Sequence, residues 1–200
     1  MKLRIRYNAP VILTFALVCA VVLLIDQVSG GAFIRAFFIL PPTFTASSPL
    51  SWIKLVTYVI GHASWAHLIG NFSFILLIGP VLEEKYGSVP LLLMMIVTAL
   101  ATAILNILVV RTGLYGASGI VFMLILLSSF TNIRQGEIPI TFLLIVVLYL
   151  VREFVNALSP DTVSQLAHIA GGVVGGLFGF LFSKPNAKPA IPEGLPEKKE

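Results

Sequence analysis

The sequence contains one cysteine, Cys19, so no intrachain disulfide can staple it and the redox compartment stays open. Charge is scarce as well. Only 11% of the 200 residues are charged, against about 25% in a soluble domain. That leaves too little polar surface to cover a globule in water. What fills the chain instead is apolar: 58% of residues are hydrophobic and the mean hydropathy is +0.99. Apolar runs long enough to cross a bilayer recur along it. The net charge of +4 does not point to nucleic acid. The basic residues lie at the chain ends and in short loops, with no patch of interleaved aromatics, as expected of charges that set topology at a lipid surface. No solenoid repeat is visible.

Six spans can be drawn in an all-α membrane bundle, at about 10–28, 64–82, 88–110, 116–133, 138–156 and 165–183. Residues 1–183 form one membrane domain and 184–200 a solvated, disordered tail rich in Pro, Lys and Glu. The start, with Lys2, Arg4 and Arg6 before Val11–Ile25, imitates a signal peptide with small residues at 29–32. The apolar stretch is long for that role, and an uncleaved first helix is expected. With both termini cytoplasmic, nine of the thirteen Lys and Arg residues fall on the inner side, as the positive-inside rule asks. The connection 29–61 carries Phe33, Phe37, Phe38, Phe44 and Trp52 around Pro41-Pro42. It is expected to lie in the outer interface of the bilayer.

Polar groups inside a bilayer are costly, so each is a functional candidate. His67 and Asn71 open the second span, Ser118 the fourth and His168 the sixth. Even-numbered spans run in one direction, so these first turns share one depth, within about 5–10 Å of the outer end. Gly116 and Gly119 flank the serine at a helix start, where backbone N–H groups and the helix dipole favour an oxyanion. Gly171 and Gly175 follow His168 on its own face and allow close approach of another helix. If that helix is the fourth, imidazole and hydroxyl come within reach as a base-activated nucleophile. His67 and Asn71, four apart on one face, suit an oxyanion better than a metal, since zinc wants three or four ligands; no metal or cofactor is expected. Asn106 adds to the same polar layer. No acidic residue stands where it could orient His168, Asp161 and Glu153 lying at the fifth loop and the end of the fifth span, so a dyad is expected rather than a triad.

Taken together, these residues resemble the rhomboid family of intramembrane serine proteases. The matching elements are His67-x-x-x-Asn71, Gly116-Ala117-Ser118-Gly119 and Ala167-His168-x-x-Gly171-x-x-x-Gly175, in order on alternate spans. The resemblance implies attack by Ser118, proton transfer to His168, and an oxyanion hole of the Ser118 N–H with Asn71 and His67. It also implies an acidic residue closing the second helix, Glu83 or Glu84, with Glu83 the better spaced. Substrates would be transmembrane segments weakly helical near the outer face, cut beside a small residue. The chain departs from the family in carrying Phe122 where an aromatic, commonly Tyr, follows the serine by one turn. The Trp-Arg pair of the family's first loop has only Trp52-Ile53-Lys54 as its nearest stretch.

An integral multi-pass protein of a bacterial or archaeal plasma membrane follows as the expected setting, with membrane-protein substrates and lipid as its partners. Three other readings compete with catalysis: an inactive relative that binds membrane clients, a channel using the histidines, and a structural bundle. Both candidate catalytic residues are present, the polar residues stop at one depth, and a plain bundle leaves the three elements unexplained.

Overall fold

Pro10 takes the first position of helix α1 (Pro10–Val28), where a missing N–H costs a helix nothing. A computed structural model describes residues 7–130, 140, 143, 144, 147, 151 and 165–182, with backbone alone at 130, 165–169 and a few positions beyond 178. Along α1, Ile12, Cys19, Val22 and Leu23 turn inward. Leu17, Val21 and Leu24 stay exposed, the pattern of a helix bathed in lipid on one side.

The first turn of α1 is held by the far end of α4 (Trp65–Tyr86). The N–H groups of Val11 and Ile12 donate to the Glu83 carboxylate at 2.9 and 3.0 Å, and the Ser88 hydroxyl donates to it at 2.7 Å. Glu83 is buried whereas Glu84 is exposed, which selects between the two acidic candidates. A negative charge at a helix N-terminus also opposes the macrodipole favourably. Ile12 fills the groove over Gly79, where a Cβ would come within 2.6 Å of its Cδ1. This clasp explains why α4 runs a turn past the expected end at 82: the charged residues there are bound into the bundle. Glu83→Ala would leave two helix N–H groups and a hydroxyl without their partner, a loss of about 3 kcal/mol. The thermal midpoint in detergent should fall by several degrees, and Glu83→Gln should fall less.

The connection 29–61 is more regular than expected. Gly30 and Gly31 turn it at φ +64° and +85° into α2 (Ala32–Phe37), where the Asp26 carboxylate accepts the Ile34 N–H at 2.7 Å. Pro49 then starts α3 (Pro49–Thr57), which ends in a 3₁₀ turn, Tyr58–Ile60. Trp52 packs edge-on against Phe44 at 4.9 Å, and Leu50, Trp52 and Ile53 are exposed. Such an apolar face suits the bilayer interface.

Helix α5 (Ser88–Leu105) continues as a π-helical turn, Asn106–Val110. Then follow α6 (Ser118–Phe130) and α7 (Gln165–Phe182). Among the described residues, three helices are long and apolar enough to cross a membrane: Pro10–Val28, Trp65–Tyr86 and Ser88–Val110. By length and composition these three suit a helical membrane bundle. The fifth expected span, 138–156, lies almost wholly outside the described residues, as do Glu153, Asp161 and the tail 184–200.

Candidate active site

Ser64 sets where α4 begins. It is extended, and its hydroxyl accepts the His67 N–H at 3.2 Å, the ordinary N-cap arrangement. This start places His67, half-buried, and Asn71, buried, one turn apart on one face of α4.

The loop entering α6 is pinned from two sides. Leu40 and Leu114 exchange backbone hydrogen bonds of 2.9 and 3.0 Å, and the Gly116 N–H donates to the Tyr58 carbonyl at 3.0 Å. Asn106, placed in the polar layer by sequence, serves this loop instead of the site: its amide donates to the Thr112 carbonyl at 2.8 Å. Gly116 has φ +116°, and a Cβ there would lie 2.8 Å from Cε1 and 3.0 Å from Nε2 of His67, and 3.9 Å from Nδ2 of Asn71. Both the backbone conformation and the space therefore require glycine. Gly116, His67 and Asn71 thus gather beside half-buried Ser118, the first residue of α6. The expected start of this span at 116 moves to 118 because Gly116 cannot be helical. Helix-opening N–H groups have no intrahelical partner and offer themselves to an anion. The Ala63 N–H reaches Nδ1 of His67 at a long 3.5 Å, an arrangement in which a neutral ring carries its proton on Nε2.

Helix α7 packs along α6. A Cβ on Gly171 would collide with the carbonyl of Gly119, and one on Gly175 would lie 2.5 Å from the Met123 oxygen. Both contacts have the same offset in residue number, so the two helices run parallel. That register brings the His168 backbone to within about 3 Å of Ser118 along the helix axes. The side chain of His168 lies outside the described residues. Phe122, one turn after Ser118, is buried.

One histidine at this site was not among the expected candidates. His62 is only 1% exposed. Its Nδ1 lies 3.0 Å from the Ile60 carbonyl, its Nε2 lies 3.1 Å from Nδ2 of Asn71, and its ring meets that of His67 at 5.1 Å. Burial pulls its pKa down to about 4, the Ile60 carbonyl opposing and His67 assisting, so the ring is uncharged at neutral pH. It sits in the loop ahead of the N-cap, where a reading by helix depth passes it over. The available signal was its rarity, as one of three histidines in the chain. Among the described residues, no three His, Cys, Asp or Glu side chains gather as a metal would need.

The arrangement offers a hydroxyl at a helix N-terminus, two polar side chains on the adjoining helix, and a histidine whose backbone lies about 3 Å away along the axes. Comparison with known proteins points the same way. The chain is 28% identical over 140 residues to Rhomboid-like protein 11, chloroplastic, of Arabidopsis thaliana, a match covering 62% of this chain and 50% of that protein. It is 23% identical over 136 residues to Rhomboid protease GlpG of Haemophilus influenzae, covering 66% of this chain and 70% of that one. The chain thus spans half the length of the plant relative. A family model described as the Rhomboid domain matches residues 49–185, and on that match the chain belongs to the rhomboid family.

Proposed function

We propose that the chain is an intramembrane serine endopeptidase that cleaves transmembrane segments with a Ser118–His168 dyad. The observation that carries this reading is the parallel, glycine-lined crossing of α6 and α7. It sets the backbones of Ser118 and His168 about 3 Å apart along the helix axes, beside the cluster of Gly116, His67 and Asn71.

In the proposed reaction, His168 takes the proton of the Ser118 hydroxyl as Oγ attacks the scissile carbonyl. The negative charge that develops on the carbonyl oxygen is met by the Ser118 N–H, the Asn71 amide and Nε2–H of His67. Collapse expels the amine, which collects the proton from His168. Water, activated by the same imidazole, then releases the acyl group from Ser118. Phe122 stands where the family's aromatic packs on the base, and it offers no hydroxyl. The six-span topology with both termini inside belongs to this proposal, since it opens the serine's end of the bundle to the outer face. The irregular loop ahead of Ser118 is tolerable at depth only if it lines a protein-buried or watered cavity. A bacterial and a chloroplastic relative both fit a multi-pass membrane protein and do not choose between a prokaryotic plasma membrane and an organelle.

The test uses the full chain in liposomes with a reporter transmembrane substrate and a serine-directed fluorophosphonate. Cleavage should occur, and the probe should map to Ser118 by peptide mass. A chain that cuts none of a broad substrate panel and takes no probe would sink the protease reading in favour of client binding.

A further inference from the structure

The His62 imidazole has no part in the proton transfers above, yet it is enclosed and fully engaged. Its partners leave it one arrangement. A carbonyl can only accept, so the Nδ1 facing the Ile60 oxygen at 3.0 Å carries the ring's proton. A neutral imidazole has no second N–H, so Nε2 turns a lone pair toward Asn71. Only the NH₂ end of the Asn71 amide can meet that lone pair, at 3.1 Å. The carbonyl end would be repelled. One N–H of the amide is thus consumed and the other remains, on the nitrogen that lies 3.9 Å from the Cβ position of Gly116 beside the serine loop.

We propose that His62 is a positioning residue that locks the Asn71 amide with its NH₂ group toward the site, so that Asn71 donates to the oxyanion. This rests on the protease reading given above. The terminal torsion of an asparagine is broad and two-fold. An unlocked amide would spend part of its time presenting an oxygen to the developing negative charge, where it repels instead of stabilises. His62 therefore acts through Asn71 on the transition state and leaves ground-state binding alone.

A double-mutant cycle on the full chain in liposomes tests this. His62→Ala should lower kcat by about 10–100-fold, somewhat less than the roughly 10²–10³-fold that loss of a whole oxyanion donor costs, with KM within about twofold. In an Asn71→Ala background the same substitution should cost no more than about twofold, because the residue it acts through is gone. His62→Gln, whose amide can donate to Ile60 and accept from Asn71, should recover most of kcat, whereas His62→Leu should not. Multiplying losses in the cycle, or equal activity of the Gln and Leu variants, would overturn the proposal. A second measurement does not depend on turnover. ¹⁵N spectra of the Ser118→Ala chain should show His62 protonated at Nδ1 and bare at Nε2, and the opposite tautomer would overturn it. A wild-type chain that neither cleaves nor labels refutes the protease reading, while the tautomer still decides the lock. A cleaving chain with an additive cycle refutes only the role of His62.

Discussion

Ser118→Ala should lower substrate turnover by about 10⁴–10⁶-fold, to the floor of a reporter assay, while the chain stays folded. The loss is large because the hydroxyl is the nucleophile itself, and what remains is only stabilisation by the oxyanion donors. His168→Ala should fall to a similar floor. The double variant should be no worse than either single one, since two groups that act as a unit cannot be lost twice. Thermal midpoints should move little, because Ser118 is half-buried and its hydroxyl fills almost no volume. Purified chains in liposomes, assayed by gel for product and by thermal melting for fold, decide the matter. Single and double losses that multiply would mean the two residues work separately, and the dyad would have to be given up.

Gly171→Val should lower turnover by about 10²-fold although it touches no reacting atom. The position of its Cβ is already taken by the Gly119 carbonyl, whose carbon would lie 2.8 Å away. Backbone cannot swing aside as a side chain can, so α6 and α7 must part. A displacement of about 1 Å at a reacting pair can cost 10²-fold in rate, and overpacking adds about 1–3 kcal/mol of instability. Gly172→Ala is the control. Its Cβ would meet only Cδ1 of Leu126 at 3.1 Å, the free end of a side chain, so activity should change at most a few-fold. Comparable losses at 171 and 172 would show that the helix tolerates no side chain anywhere and that the crossing has no special place in catalysis.

Much of this was legible in the residues because a bilayer penalises polar groups so heavily. The first helix begins and ends where its apolar run does, Pro10–Val28. Asn71 and His67 stood out against their surroundings, and the structure gathers them against Gly116. Local polar bonding was harder to read. The end of α4 was set too early because Glu83, Glu84 and Lys85 look like a loop until Glu83 is seen to hold α1. Asn106 was assigned to the polar layer by depth alone, and depth does not say that its amide turns to Thr112. The helices of the first loop are short, and their starts depend on Gly31 and Pro49 more than on any periodicity. His62 escaped because its importance lies in what its two nitrogens face, a tertiary fact.

The Glu83 clasp has a consequence for the order in which the protein is made. The groups it binds come from residues 11 and 12, while the carboxylate and Ser88 are synthesised some seventy residues later. Helix α1 therefore enters the membrane first but has no polar lock until the hairpin of α4 and α5 has followed it. Insertion and docking of that helix are separate events, divided by the time the ribosome takes to reach Ser88.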